Sequence, residues 1–416
     1  MNILIFSGNW DNRGDESAIR AMIDEIIQIY PNVNIKIQFN VPVKEIPYEN
    51  IELVRSFYKP AGRNKFKLIP YYISVLSGGR INLLIGKNRR LFNEFLSAVK
   101  WADLALYAPG GPNIGDFYRQ YVLLDMIHLM YANRVPYAFY APSMGPFKQY
   151  KKRISRMLSR SSLICLRESI SERYLLELNR KLKINVTLDS AFQHKIDEAK
   201  YQRMLEDYAE LNKFLSNNKK VVGITISDLK WHKLYKNSDL AVKIHDAFSV
   251  FIHYLVDNGY GVVFIPQLFA NASDKKYMSD FSIENCFVVD DNYDCYFQQY
   301  LISKLYAVVG MRYHSNIFSA KMGTPFVSVA YEQKMKGFMN KIQQEKYCID
   351  ISDLSFELLK DKFEILVKNY DDYKNLLMEQ REYRRLESYK TTELVTKLIA
   401  ELNSNHFHCL KMFFVF

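Results

Sequence analysis

The stretch from Ala307 to Lys334 constrains the fold more than any other part of the chain. A short apolar run, Ala307-Val308-Val309, reads as a buried strand. Gly310 is expected to permit a sharp turn and to deliver Arg312, Tyr313 and His314 at the strand end. From Ser315 the pattern predicts a helix, which Gly323-Thr324-Pro325 stops. A second apolar strand, Phe326 to Ala330, leads into Tyr331-Glu332-Gln333-Lys334. One βαβ-like unit thus sets an Arg, a His, a helix N-terminus and a Lys at the carboxyl ends of adjacent parallel strands. Open α/β sheets bind ligands there. Three cationic or protonatable groups around helix N–H groups suit a small, highly charged anion, such as a phosphate plus a carboxylate. An Arg and a His after a strand are also common as plain loop residues. The Lys after the next strand tips the reading towards a site.

The rest of the chain repeats the strand-loop-helix rhythm. At 416 residues it calls for two domains. Asn2 to Ser7 is a buried first strand, and Ser17 to Tyr30 an amphipathic helix. The loop between them, Gly8 to Glu16, is not the dinucleotide G-x-G-x-x-G, and it carries Asp15 and Glu16 where a phosphate would want none. It suits sugar hydroxyls, although Asp15 as a plain helix cap accounts for it equally well. Ala102 to Tyr107 is a strand ending in Pro109-Gly110-Gly111-Pro112-Asn113-Ile114-Gly115-Asp116. Leu163 to Leu166 ends in Arg167-Glu168-Ser169, which repeats the logic of Arg312. Residues 195–219 read as an interdomain connector. The second half restarts at Val221, with strands at 221–227, 261–266 and 286–289. Residues 354–403 are nearly all helical and highly charged.

The net charge of +11 favours anionic partners. Zinc-finger and RNP-like patterns are missing, so no nucleic acid is expected. Residues 53–93 hold no Asp or Glu but nine Lys or Arg interleaved with aromatic and aliphatic residues. That mixture suits anionic lipid or a lipid-linked phosphate, and equally a solvated basic face over ordinary core. The apolar tail 406–416 is too short to span a bilayer and leaves a membrane or subunit contact open. The five Cys lack C-x-x-C spacing, which points to a reducing compartment and no zinc. Asp290, Asp291 and Asp294 read as a loop, so no metal is expected. The isolated His residues 128, 194, 232, 245 and 253 read as structural. Neither a signal-peptide pattern at the start nor a run of about 18 apolar residues is present, so a cytoplasmic protein is expected.

Taken in order, several strings resemble the polysaccharide pyruvyltransferases, from Met1 to about Phe338. They are Gly8-Asn9 through Asp15-Glu16, Pro109-Gly110-Gly111, Ser143-Met144-Gly145-Pro146, Arg167-Glu168-Ser169, Asp189-Ser190-Ala191-Phe192 and Phe264-Ile265-Pro266-Gln267 with Ser273-Asp274. The most specific is Gly310-Met311-Arg312-Tyr313-His314 with Gly323-Thr324-Pro325 and Tyr331-Glu332-Gln333-Lys334. The family commonly has Asp at Glu168 and Leu at Tyr313, and its pattern covers neither 53–93 nor the tail after Asn403.

The resemblance implies an α/β fold of two Rossmann-like domains facing across a cleft, like the GT-B glycosyltransferases. Residues 1–196 would form the acceptor side. Residues 197–416 would form the donor side, with closing helices from about 354. It implies phosphoenolpyruvate as donor, no further cofactor, and a glycan or lipid-linked oligosaccharide of a capsule or exopolysaccharide as acceptor. Arg167, Arg312, His314 and Lys334 would be the catalytic donor-site residues, with Ser315 beside them and His314 as general acid. The acceptor would enter near Asn9, Asp15, Asn113 and Asp116. A peripheral place at the inner face of the membrane, through 53–93 or 406–416, fits a lipid-linked acceptor. Two alternatives stay open: a nucleotide-sugar glycosyltransferase with Glu332 on the ribose, and a non-catalytic glycan- or membrane-binding component of an assembly complex.

Overall fold

The computed structural model describes all of the chain except residues 61–65, 67, 112–113, 117–120, 233, 237, 270–273 and 414–416. At 121 and 405–413 it describes the backbone alone. The first half runs β1 (Asn2–Gly8), α1 (Arg13–Ile29), β2 (Asn34–Phe39), β3 (Ile51–Val54), α2 (Leu68–Leu76), α3 (Gly86–Trp101), β4 (Leu104–Tyr107), α4 (Tyr121–Ala132), β5 (Tyr137–Phe139), α5 (Lys151–Ser159), β6 (Leu163–Leu166), α6 (Ser169–Leu178) and β7 (Asn185–Val186). The second runs α7 (Glu198–Asp207), α8 (Ala209–Asn217), β8 (Val221–Thr225), α9 (Leu240–Asp257), β9 (Gly261–Phe264), α10 (Asp274–Ser279), β10 (Cys286–Val288), α11 (Cys295–Ser303), β11 (Ala307–Gly310), α12 (Tyr313–Met322), β12 (Phe326–Ala330), α13 (Gln333–Lys341), β13 (Cys348–Asp350), α14 (Phe356–Lys368), α15 (Tyr370–Glu379) and α16 (Arg381–Phe413).

These elements form two parallel sheets, ordered β3-β2-β1-β4-β5-β6-β7 and β10-β9-β8-β11-β12-β13. Both reverse strand order beside their first strand, the doubly wound pattern that opens a crevice at the switch point. The first sheet shows why its strands read as continuous apolar runs. Leu4, Phe6, Ala105 and Tyr107 face one cluster, while Ile3, Ile5, Leu104 and Leu106 face another. Parallel sheets are covered on both faces, so alternation of side does not become alternation of polarity.

The chain divides into two compact units. The first comprises Met1–Trp10, Ile19–Ser190 and Ser388–Phe416; the second comprises Asp11–Ala18 and Ala191–Glu387. The sequence division at 196/197 differs from this in two ways. The C-terminal part of α16 belongs to the first unit, because Val395 and Ile399 are buried in the cluster that also holds Ile19, Met22, Ile23 and Ile26 of α1. Residues 11–18 group with the second unit, for reasons given below. Residues 195–219, helix-prone in sequence, form α7 and α8, which bury Tyr201, Leu205 and Leu211.

In the second unit α12 is buried along its whole length. It starts at Tyr313, two residues before the predicted Ser315. Gly310 ends strand β11 and makes no turn. Its role is close approach, since a Cβ there would lie 2.2 Å from Asn316 Oδ1.

Because Ile399 is fully buried on α1, Ile399→Ala is expected to lower the unfolding free energy by about 2–5 kcal/mol. Urea denaturation followed by circular dichroism measures it; an unchanged midpoint would show that α16 adds nothing to this core.

Candidate functional site

The second unit's switch point lies between β8 and β11. Ser315 donates its hydroxyl hydrogen to the Arg312 carbonyl at 2.7 Å, so the 2.7 Å contact with Thr225 takes its hydrogen from the threonine. This strut fixes the start of α12 to the end of β8. Ser315 was expected to bind the donor. Its hydroxyl serves this strut, donating once and accepting once. The N-cap Arg312 makes no side-chain cap bond to α12, nor does Glu332 to α13. Both helix starts present the positive end of the helix dipole, which favours an anion nearby.

Arg312 is buried and points back over the sheet. It donates Nε to Asp274 Oδ2 at 3.1 Å, one terminal nitrogen to Asp274 Oδ1, and the same nitrogen to Ser227 Oγ at 3.3 Å. Its guanidinium carbon lies 5.2 Å from the Trp231 ring centroid. Burial alone would lower the Arg312 pKa, but Asp274 and Tyr331 outweigh it and raise it, so the group stays charged. Asp274 also accepts from the Gln267 and Leu268 N–H groups, at 3.1 and 2.9 Å. The spacing of Ser273-Asp274 after Gln267 was visible in the sequence; its partner, 38 residues on, was not.

Lys334 pairs with Glu332 Oε2 at 2.6 Å, and Glu332 Oε1 lies 3.0 Å from His232 Nε2. The Leu234 N–H donates to His232 Nδ1 at 3.3 Å, which puts the ring hydrogen on Nε2. His232 stacks on Tyr235 at 4.8 Å and meets the Trp231 and Tyr331 rings edge-on. Burial, and then Glu332, push the Tyr331 phenol up, so it stays neutral. Lys334 also sits 5.7 Å from the Tyr313 ring, the neighbour of His314. Arg312, Trp231, His232, Glu332, Lys334, Tyr313 and His314 thus form one contiguous wall. His232 and Trp231 escaped the sequence reading because only the fold brings them to Glu332 and Arg312.

His314 has a partner that the sequence division hid. A Cβ on Gly14 would fall 1.9 Å from His314 Nδ1, so the first turn of α1 lies flat on the imidazole. That turn is pinned to the second unit by Arg13 N–H to Gln267 O at 2.8 Å, Phe269 N–H to Asp11 O at 3.0 Å and Ser17 accepting from Gln299 at 2.8 Å. Arg13 pairs with buried Glu16 at 2.6 Å, donates to the Asp291 carbonyl at 2.5 Å and lies 4.0 Å from the centre of the Phe269 ring. Asn12, not Asp15, caps α1: its Oδ1 accepts from Gly14 N at 2.8 Å and Asp15 N at 3.4 Å. Asp15 is left in the first turn, half-buried beside Gly14. Burial, and then Asp15, push the Asp11 carboxyl above its usual range. Asp11 was missed, although two carboxylates four residues apart at a helix start are a readable signal.

The remaining predicted residues lie in the first unit. Arg167 is buried, donating NH1 to Asp189 at 2.6 Å and Nε to Ser143 at 2.8 Å. Asn9 Oδ1 accepts from Asn40 at 3.0 Å. Asp116 accepts the Lys148 and Gln149 N–H groups, the second at 3.2 Å. Asn113 lies outside the described residues. Of the acceptor set, Asp15 alone is grouped with His314. Asp290, Asp291 and Asp294 serve as loop and cap residues: Asp290 holds Lys275 at 3.0 Å and Asp294 caps α11. Among the described residues no cluster of His, Cys, Asp or Glu is arranged to hold a metal.

Comparison with known proteins gives this geometry a context. The family model for polysaccharide pyruvyl transferases matches residues 12–333. The amylovoran biosynthesis protein AmsJ of Erwinia amylovora is 22% identical over 429 residues, covering 95% of this chain and 99% of that protein. Among solved structures, the UDP-GlcNAc 2-epimerase of Neisseria meningitidis superposes with a TM-score of 0.55 at 13% identity, over 96% of this chain and 100% of that one. The α,α-trehalose 6-phosphate synthase of Burkholderia multivorans gives 0.54 at 10% identity, over 98% and 99%. These structural likenesses establish the GT-B-like α/β fold.

Two outcomes test the packing around His314. Gly14→Ala is expected to destabilise the fold by about 1–3 kcal/mol through overpacking, read from its melting temperature; an unchanged value would show the turn can move aside freely. The second concerns pH. Folding raises the Asp11 pKa, so the ionised carboxylate opposes folding at neutral pH and is without effect below its unfolded pKa. Asp11→Asn should therefore melt higher at pH 7, with the gain fading as the pH falls through the carboxylate range. A gain that grew on acidification would contradict the sign.

Proposed function

The chain belongs to the polysaccharide pyruvyl transferase family, and from that premise we propose that it moves the pyruvyl group of phosphoenolpyruvate onto two hydroxyls of one sugar, in a surface polysaccharide or its lipid-linked precursor. The product is a cyclic ketal, and phosphate is released. As a family member the chain is a transferase of polysaccharide biosynthesis; the donor, the ketal and the acceptor carrier are the proposed part. The observation that carries the reading is the grouping of Arg312, Lys334 and His314 with the first turns of α12 and α13. A small dianion or trianion is the ligand such a group suits.

Phosphoenolpyruvate offers a carboxylate and a phosphate on one three-carbon unit. Its enol phosphate resists attack until the methylene carbon takes a proton and C2 becomes electrophilic. His314 is the proton donor in this reading, within a wall that also supplies cations. Arg312 grips a carboxylate or phosphate oxygen; a guanidinium has five N–H donors, so Asp274 does not exhaust it. Lys334 and the helix N–H groups balance the charge of the leaving phosphate. One sugar hydroxyl attacks C2 and loses its proton, the C–O bond to phosphate breaks, and the second hydroxyl closes the ring and loses its proton. Asp15, held beside His314 through Gly14, is the base for a sugar hydroxyl. The net change is phosphoenolpyruvate plus a diol giving a ketal plus phosphate, which needs no redox cofactor.

Glu332 weighs against the nucleotide-sugar reading. The carboxylate that would hold a ribose is engaged by both His232 and Lys334. His314→Ala and Arg312→Ala are each expected to cut phosphate release from phosphoenolpyruvate, with a competent acceptor, by at least about 100-fold. Phosphoenolpyruvate should raise the melting temperature of the native chain where UDP-, GDP- and CMP-sugars do not. Full phosphate release by both variants, or stabilisation by a nucleotide sugar alone, would overturn the proposal.

A further inference from the structure

The first unit carries an amphiphilic face that the transfer chemistry does not use. Helix α2 buries Tyr71, Ser74 and Val75. Its opposite side is also apolar: Ile69, Ile73 and Leu76, at helical spacing, are 50%, 37% and 64% exposed. The segment after it continues the pattern, with Ile81, Leu83 and Ile85 exposed at alternate positions, Ile85 to 83%. Isolated exposed aliphatics are ordinary, but six in one short stretch are not.

Beside this stripe lies a cavity of about 500 Å³ between α2, α4 and α5. Tyr72 and Leu76 form one wall; Lys152, Arg153, Arg156 and Arg160 form another. His128 Nε2, 3.4 Å from the Leu76 carbonyl, ties α4 to the end of α2. Helix α5 buries Ile154, Met157 and Leu158 and turns its basic residues outward, with no acidic residue in its first turn. Arg153 is held by buried Asp125 at 2.6 Å, and Arg160 lies 3.9 Å from the Tyr131 ring centroid. Lys152 and Arg156 are exposed. Lys59 adds a cation here, donating to the Tyr72 hydroxyl at 2.6 Å; Arg63, Lys65 and Lys67 lie outside the described residues, as do the side chains of 406–416.

We propose that this face docks on an anionic phospholipid bilayer. The stripe of α2 and the segment 81–85 enter the headgroup layer, and the basic cavity takes a lipid phosphate. Charge selects this occupant. A second copy would set two basic faces against each other, whereas an anionic surface satisfies the basic helix and the aliphatic stripe together. Among the described residues no helix is long and apolar enough to cross a membrane, so the contact is one of lying on the surface. It places the chain where a lipid-linked glycan would be presented, yet it stands apart from the donor reading.

Co-sedimentation of the full chain with vesicles tests it, without donor or acceptor present, so that its failure and that of the transfer chemistry are distinguishable. Binding is expected to phosphatidylcholine vesicles containing phosphatidylglycerol, weakened by salt, and not to phosphatidylcholine alone. Lys152→Glu with Arg156→Glu should lower binding about ten-fold or more. Ile73→Ser with Leu76→Ser should lower it at unchanged net charge, as should Ile85→Ser, whose exposure leaves folding untouched. Equal binding to both vesicle types, no binding, or binding indifferent to all three variants would overturn the proposal. So would a dimer, seen by light scattering, that the apolar variants dissolve, or binding confined to nucleic acid.

Discussion

The buried pair between Arg312 and Asp274 is the interaction on which the second unit's site depends. Each partner closes a different part of the sheet end. Arg312 begins α12 after β11, while Asp274 gathers the Gln267 and Leu268 N–H groups after β9. Removing either charge would leave the other uncompensated in a buried place, at a penalty of about 3–5 kcal/mol, although the intact pair adds little net stability. The pair is therefore better understood as a registry device. It sets two loops and one helix start relative to each other before any ligand arrives.

Around that pair the site is assembled by missing atoms as much as by charged ones. Gly310 lacks the Cβ that would strike Asn316, and Gly14 lacks the one that would strike His314. Neither backbone is left-handed; both glycines serve close approach. The first lets α12 fold back against its own strand. The second lets the start of α1 lie on the imidazole. Asp15, the residue after Gly14, is set beside the imidazole by that backbone approach.

Much of the architecture was legible in the chain because parallel strands buried on both faces leave continuous apolar runs, and because residues such as Arg312 and Lys334 follow those runs directly. What was illegible has a common cause. Asp274 with Arg312, His232 with Glu332 and Gly14 with His314 are pairs far apart in sequence, and no local period records them. The return of α16 to the first unit was hidden for a similar reason: Val395 and Ile399 look like one more amphipathic stripe until their partners on α1 are known. The turn assigned to Gly310 failed because glycine answers two needs, positive φ and close contact, which a sequence does not separate.

The matching of each strong cation in the wall with a carboxylate, Arg312 with Asp274 and Lys334 with Glu332, has a consequence for selectivity. An anion that binds to a wall built this way must compete with Asp274 and Glu332 for the guanidinium and ammonium donors. A ligand carrying its own carboxylate can share the guanidinium and ammonium donors like for like. On the proposed chemistry, the same balance acts at the end of the cycle. Once the carboxylate has left with the sugar, the remaining phosphate would compete with those carboxylates through one anionic group instead of two.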